Sequence, residues 1–375
     1  MKNKKIHVIY DYQAFDMQII GGITRYFCEI IRRLSVNTDI SVKYTENYYL
    51  IHWKIGKHRT FFRRWIFKHT KHKSEYIERN KLFTKSILVH KQKYLFHPTY
   101  YNPYFLQFIG NNPFVITVHD MIHELFPDLF KDANIISQQK KEILTRANHI
   151  IAISNNTKND IIRILNIPPS KIDVIYHSTS MKRHYGEHKL KVPNKYLLFV
   201  GDRSPYKNFN LLLKVFSKLS KDFNDLHLLC TGHSFSHQEE EIISQLQISK
   251  RILQIKASEN ELSELYSRAE VFIFPSLYEG FGIPILEAFA CECPVALSNT
   301  SCFPEIAGNA AIYFDPYSEN SMVQSLKEII NNKEMQKQLT VAGLKQLQLY
   351  SWDKAAKQTE EVYNKAILHK NNGSS

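Results

Sequence analysis

The chain has 375 residues, 43% apolar, 13% aromatic and 23% charged, with a formal net charge of +13 at pH 7. That length exceeds what one hydrophobic core usually fills, so two domains are expected, and the composition excludes wholesale disorder. No apolar run approaches the roughly 18 residues that span a bilayer, and the 5 cysteines (Cys28, Cys230, Cys291, Cys293, Cys302) contain no Cys-x-x-Cys pair, which favours free thiols in a reducing cytoplasm over a disulfide or zinc framework.

The N-terminus, MKNKKIHVIYDYQAF, is charged and then apolar, but Asp11 and Gln13 interrupt the run early, so it reads as a first strand and not a signal peptide. Short β-branched or aromatic runs then alternate with helical patterns, the signature of an α/β protein with a parallel sheet. Strands are expected at 6–10, 40–44, 94–97, 114–118, 150–153 and 172–176, with helices such as 24–34 and 157–165 between them. The polar stretch 177–194, without a clear period, reads as a linker. A second series follows, with strands at 196–200, 226–230, 252–255, 271–274, 295–297 and 311–314 and helices including 211–219 and 261–269. A last helix runs from Ser351, a suitable N-cap, to about residue 368. Two successive doubly wound domains imply a cleft, with ligands at the carboxyl ends of strands.

The charge is uneven. Between Lys54 and Lys93 there are 13 Lys or Arg against two acids, Glu75 and Glu78, and the rest of the chain is nearly neutral. Aromatics are threaded through the same stretch, as in RTFFRRWIFKHTKHK. A solvated charged face is the plainest meaning, and nucleic-acid binding would need a motif that is absent. Phe61, Phe62, Trp65, Ile66 and Phe67 among the cations favour a membrane-surface patch. Residues 54–93 are therefore expected to dock on anionic lipid, with no nucleic-acid partner.

Three strand-to-helix loops suit phosphate. In PSLYEGFGIPILEAFA (275–290) the strand VFIF gives way to two glycines and a helix near Pro284, whose free N–H groups favour an anion. Glu279 precedes the glycines and Glu287 lies inside the helix. For such a pair alone, a solvated acid and a helix-dipole contact are the commoner meaning. GDRSPYKNFN, opening at Gly201, carries Arg203 and Lys207, cations that would neutralise a phosphate. GGITRY (21–26) follows the first strand and offers Gly21 and Gly22 for close backbone approach. Each loop is weak alone; three together, from both domains, are not.

GGITRY, TVHDMIHELFPD, FVGDRSPYKN and PSLYEGFGIPILEAFACECPVALSNTSCFPEIAGNAAIYFDP, in this order, resemble the retaining glycosyltransferases of family four. The resemblance implies the GT-B fold, with two Rossmann-like doubly wound α/β domains facing a deep cleft and a C-terminal helix crossing back to the N-terminal domain. The expected division is 1–180 for the acceptor domain, 181–350 for the nucleotide-sugar domain and 351–370 for the returning helix. By position, the resemblance implies that Glu279 contacts hydroxyls of the donor sugar and Glu287 the nucleotide ribose. It places the amides of Phe281 and Gly282 on sugar and phosphate, Arg203 and Lys207 on the diphosphate, Gly22 on the same diphosphate, His119 beside the transferred sugar, and Lys256 in the loop bordering the base. Two departures stand out. Pro205-Tyr206-Lys207-Asn208 replaces the family's Pro-Arg-Lys-Asn, and Glu292 stands where glycine is commoner.

The implied activity is metal-free hexosyl transfer with retention, from a nucleotide sugar such as GDP-mannose to a saccharide or lipid-linked saccharide in surface-polysaccharide synthesis. No Asp-x-Asp occurs, so no metal cofactor is expected. Catalysis would then rest on positioning and on charge stabilisation of the departing diphosphate. The expected location is cytoplasmic, peripheral to the inner face of the membrane. The alternatives are an epimerase or phosphorylase using the same cleft, or a basic nucleic-acid-binding protein.

Overall fold

The runs with apolar residues at consecutive positions become strands buried on both faces, as parallel sheets flanked by helices require. The computed structural model describes residues 6–57, 73–91, 93–187 and 189–372. The core of the expected lipid-docking segment, with its RTFFRRWIF run, falls outside these. Two compact units result, Met1–His177 with Trp352–Ser375, and Ser178–Ser351.

The first unit holds β1 (His7–Tyr10), β2 (Asn37–Ile40), β3 (Leu95–His97), β4 (Val115–Val118), β5 (His149–Ala152) and β6 (Ile172–Val174). They form two parallel ladders, β2-β1-β3 and β4-β5-β6, joined by a parallel bridge between Phe96 and Phe114. The second strand lies earlier than expected, ending where it was to begin. Its partner β1 stops at Tyr10, paired with Ile40, and beyond Ser41 the backbone bonds to a side chain instead of a ladder. Asn80 accepts from the amides of Lys43 and Tyr44, both at 3.0 Å, and donates to the Tyr44 carbonyl at 2.9 Å. A second difference concerns GGITRY. A helix, Gln13–Met17, intervenes between β1 and this loop, and the next helix runs Gly22–Ile31 with Gly21 as its N-cap.

The last helix runs Trp352–Asn372 and completes the core of the first unit. Trp352, Ala355, Ala356, Val362, Tyr363 and Ala366 are buried with Val8, Tyr10, Tyr26 and Phe27. Its register is fixed by buried hydrogen bonds. Tyr363 bonds to the Tyr10 hydroxyl and, at 2.8 Å, to His97 Nδ1. His97 Nε2 lies 3.0 Å from the Thr117 hydroxyl, which lies 3.0 Å from that of Tyr26. Strands β1, β3 and β4 and two helices thus share one polar chain in a dry interior, where such bonds gain strength and their loss is costly.

The second unit is one parallel sheet of β7 (Tyr196–Phe199), β8 (His227–Thr231), β9 (Ile252–Ile255), β10 (Val271–Phe274), β11 (Val295–Ser298) and β12 (Ile312–Phe314). Its order is β12-β11-β10-β7-β8-β9. The chain winds outward from β7 to β9, returns, and lays β10 on the other side of β7. This reversal brings the carboxyl ends of β7 and β10 side by side, the position at which open α/β sheets bind ligands. The supposed linker is irregular but not free. Glu264, on the helix Glu259–Arg268, accepts from the amides of Lys189 and Leu190 at 3.2 Å each, and Ser263 donates to the Lys182 carbonyl at 2.5 Å.

Candidate active site

The β7 and β10 loops meet at the reversal point of the second sheet. After β7 the chain turns at Gly201 (φ +124°), makes a short 3-10 turn over Pro205–Lys207, and enters the helix Phe209–Asp222 through Asn208 in left-handed geometry (φ +58°). After β10 it passes through Pro275 to Gly282. The Leu277 amide donates to the Tyr206 carbonyl at 2.8 Å, which clamps the two loops together. Gly282 begins the helix Ile283–Ala290 at φ +86°, and a Cβ there would lie 3.0 Å from Ile285 and 3.3 Å from Phe303. Only glycine takes this backbone and this space without strain. No side chain caps this helix; Pro284 carries no N–H and the Ile285 amide donates to the Gly282 carbonyl at 2.9 Å, which leaves the Gly282 and Ile283 amides as the donors for an anion.

At this junction Lys207 Nζ donates to Glu279 Oε1 at 2.6 Å, with the two side chains only 11% and 14% exposed. Burial by itself would pull the Lys207 proton off; the Glu279 carboxylate, with Asp202 nearby, outweighs it and holds the ammonium above its usual range. The rings of Tyr206 and Phe274 lie 5.0 and 5.2 Å from the same nitrogen. Ser301 accepts from the Glu279 amide at 3.2 Å, fixing the loop on the β11 side. The pair is a permanent cation and a carboxylate, held rigid at the open end of a helix.

Glu287 lies inside that helix and is 6% exposed, with the Tyr266 hydroxyl 3.4 Å from Oε2. Phe281 is buried, its ring edge-on to Tyr350. Lys256 is exposed just past β9, before the capping box of Ser258 and Glu261. Arg203 is placed differently from the expected phosphate contact. Its guanidinium bonds to Glu239 at 2.7 Å and to the carbonyls of His233 and Ser234 at 2.6 and 2.8 Å, between the rings of Phe209 and Phe235. It ties the β7 loop to the loop after β8 instead of joining Lys207. Glu292 gains an explanation: its φ is +57°, the region glycine favours, and its carboxylate pairs with Arg183.

In the first unit, a Cβ on Gly22 would meet nothing within 4 Å, so packing within the chain does not demand glycine there. His119 follows β4, is 6% exposed, and its Nε2 is buried with no hydrogen-bond partner. Burial lowers its pKa to about 4. Sequence reasoning missed what holds it. Tyr101 accepts from the His119 amide at 3.0 Å, and Lys140, fully buried, lies 4.9 Å from the Tyr101 ring. Lys140 donates to the Asp120 carbonyl and to Glu124 Oε2, both at 3.0 Å. Within the run QQKKEI nothing distinguishes this lysine from its solvated neighbour. Lys140→Met would strand the 4%-exposed Glu124 carboxylate, so a loss of about 3–5 kcal/mol in the stability of this unit is expected in denaturant titration. The double variant with Glu124→Gln should recover a large part of it.

Among the described residues no three His, Cys, Asp or Glu side chains group as a metal site requires, and no helix is long and apolar enough to cross a membrane.

Comparison with known proteins gives two family matches in sequence order. Residues 88–183 match Glycosyltransferase Family 4, and residues 181–346 match Glycosyl transferases group 1. The chain is 32% identical over 215 residues to the O-antigen chain mannosyltransferase RfbU of Salmonella typhimurium, covering 57% of this chain and 60% of that protein's length. It is 28% identical over 289 residues to O-antigen chain mannosyltransferase B of Escherichia coli, covering 72% and 74%. Among solved structures, sucrose-phosphate synthase from Thermosynechococcus elongatus superimposes with a TM-score of 0.77 at 17% identity, over 97% of this chain and 100% of that one. The two family matches follow one another over residues 88–346 and agree with the two doubly wound units: the chain carries a Glycosyltransferase Family 4 domain followed by a Glycosyl transferases group 1 domain and has the GT-B fold of glycosyltransferases.

Proposed function

We propose that the protein transfers mannose, with retention and without a metal ion, from a nucleoside-diphosphate donor to a saccharide or lipid-linked saccharide during surface-polysaccharide synthesis. The observation that carries this reading is the buried Lys207–Glu279 pair at the mouth of the helix Ile283–Ala290. A diphosphate leaving group accumulates negative charge as the glycosidic bond breaks. Lys207 and the Gly282 and Ile283 amides at the start of that helix supply fixed positive charge where solvent is sparse, and such preorganised charge needs no rearrangement as the reaction proceeds. Glu279, released from part of its bond to Lys207 by the incoming phosphate, would accept from donor-sugar hydroxyls. The names of the two mannosyltransferase relatives support mannose as the sugar. The role of divalent charge falls to Lys207 in this reading.

The acceptor part of the proposal includes contact of residues 54–93 with an anionic membrane surface, and flotation with anionic against neutral liposomes tests that element separately. For the reaction itself, a panel of GDP-, UDP- and dTDP-sugars is incubated with acceptor in excess EDTA. Transfer with an α-linked product from an α-donor is expected, and Glu279→Ala should abolish it while nucleotide binding persists. Activity lost to EDTA and restored by a divalent ion would overturn the metal-free reading.

A further inference from the structure

Beside the Lys207–Glu279 pair, on its β11 and β12 side, lies a cavity of about 260 Å³ lined by Asn299, Thr300, Asp315, Pro316 and Tyr317. The function described above makes no use of it. Its position is fixed by two hydrogen bonds to the catalytic loops. Ser301, the residue after Thr300, accepts from the Glu279 amide at 3.2 Å. The Pro316 carbonyl accepts from Asn208, the residue after Lys207, at 2.8 Å. The cavity walls and the loops carrying the pair are therefore mechanically joined within the second unit.

The lining has a definite chemistry. Tyr317 is 72% exposed and presents its ring at the wall of the cavity. Its amide is bonded to Asp315 Oδ1 at 2.9 Å, which holds the two residues in one turn. Asp315 Oδ2, the Asn299 amide group and the Thr300 hydroxyl have no hydrogen-bond partner among the described residues. None of the five lining residues is basic, and one is a carboxylate, so a phosphate or other anion is disfavoured. A volume under the roughly 300–1,000 Å³ of sites for drug-sized ligands suits a single small ring. An aromatic face set beside planar amide, carboxylate and hydroxyl groups matches one ligand class well. A pyranose offers an apolar C–H face to the ring and vicinal hydroxyls that both donate and accept.

We propose that this cavity is a saccharide subsite, distinct from the donor-sugar position at Glu279, which holds one neutral pyranose residue of a glycan. It rests on the glycosyltransferase reading only for the choice of probe. A glycan seated there would press on the same Ser301 and Pro316 contacts that fix the Lys207 and Glu279 loops, and would so be held by the enzyme near its site of synthesis.

The test uses the full chain and methyl α-D-mannopyranoside, followed by saturation-transfer NMR without nucleotide. Binding is expected, and Tyr317→Ala and Asp315→Asn should each weaken it about tenfold, the scale of one lost ring or hydrogen-bond contact. Glu279→Ala should leave it unchanged. Tyr317 is exposed, so its removal leaves the fold intact, as a thermal melt would verify. No binding to the wild type, undiminished binding to Tyr317→Ala, or loss in Glu279→Ala alone would each overturn the proposal. So would displacement of the sugar by uridine or guanosine, which would make the cavity a base site. Failure of the donor reaction with this binding intact would instead strike only the function proposed above.

Discussion

Lys207→Met should lower kcat/KM by about 10²–10³, the usual loss when one preorganised donor to a developing anion is removed. It should also weaken a nucleoside diphosphate far more than the bare nucleoside. Methionine keeps most of the stem volume between the Tyr206 and Phe274 rings, so the effect reports charge more than packing. The variant has a second consequence. Glu279 is only 14% exposed and loses its partner, so its carboxylate becomes an uncompensated charge in a dry setting. Part of the lost activity could then come from a displaced loop. Lys207→Met combined with Glu279→Gln separates the two: the loop regains its stability, and diphosphate affinity stays low. An unchanged ratio of diphosphate to nucleoside affinity in Lys207→Met would remove Lys207 from the phosphate and with it the basis of the charge argument.

The parts of this site legible in the sequence are those whose signal is local. VFIF followed by EGFG and Pro284 marks a buried strand, a turn and a helix start within a dozen residues, because each step has its own residue requirement: apolar run, positive φ, fixed φ. Lys207 was legible for the same reason, as a cation in such a loop. Arg203 looked equivalent from its spacing. Its partner, Glu239, lies 36 positions on and reaches it only because β8 packs beside β7. A loop cation's fate is decided by tertiary neighbours, and no local pattern carries them. Lys140 is the converse case. It reads as one more solvated lysine, and becomes the buried support of His119 only when Tyr101, Asp120 and Glu124 converge on it. The shift of β2 has the same origin, since Val42 is buried whether or not its strand is paired, and the end of β1 at Tyr10 together with the distant Asn80 decides that it is not.

The first unit should be acid-labile well above the range where carboxylates titrate. His97, His119 and His177 are 1%, 6% and 3% exposed. Burial lowers His97 to about 3 and His119 to about 4, with His177 well below its ordinary value by burial and the proximity of His119. In the unfolded chain each takes a proton near pH 6.5. The sign follows directly: the folded values are depressed, so the contribution is complete above the unfolded pKa and is lost as pH falls from there toward the folded values. Each histidine then removes about 1.4 kcal/mol per pH unit in that window, and three together about 4, against a total stability of about 5–15 kcal/mol. Asp120, held low by Lys140 against the opposing effect of burial, adds its loss only below the ordinary carboxylate range, while Asp11, raised by burial, opposes the trend above that range. Denaturant midpoints measured between neutrality and about pH 5 should therefore fall steeply above the range where ordinary carboxylates protonate. His97→Gln offers both a donor and an acceptor to Tyr363 and Thr117 but cannot take up the proton, so its slope should be shallower by about a third. Equal slopes for variant and wild type would mean that the cost of burying neutral His97 is not what limits the fold in acid.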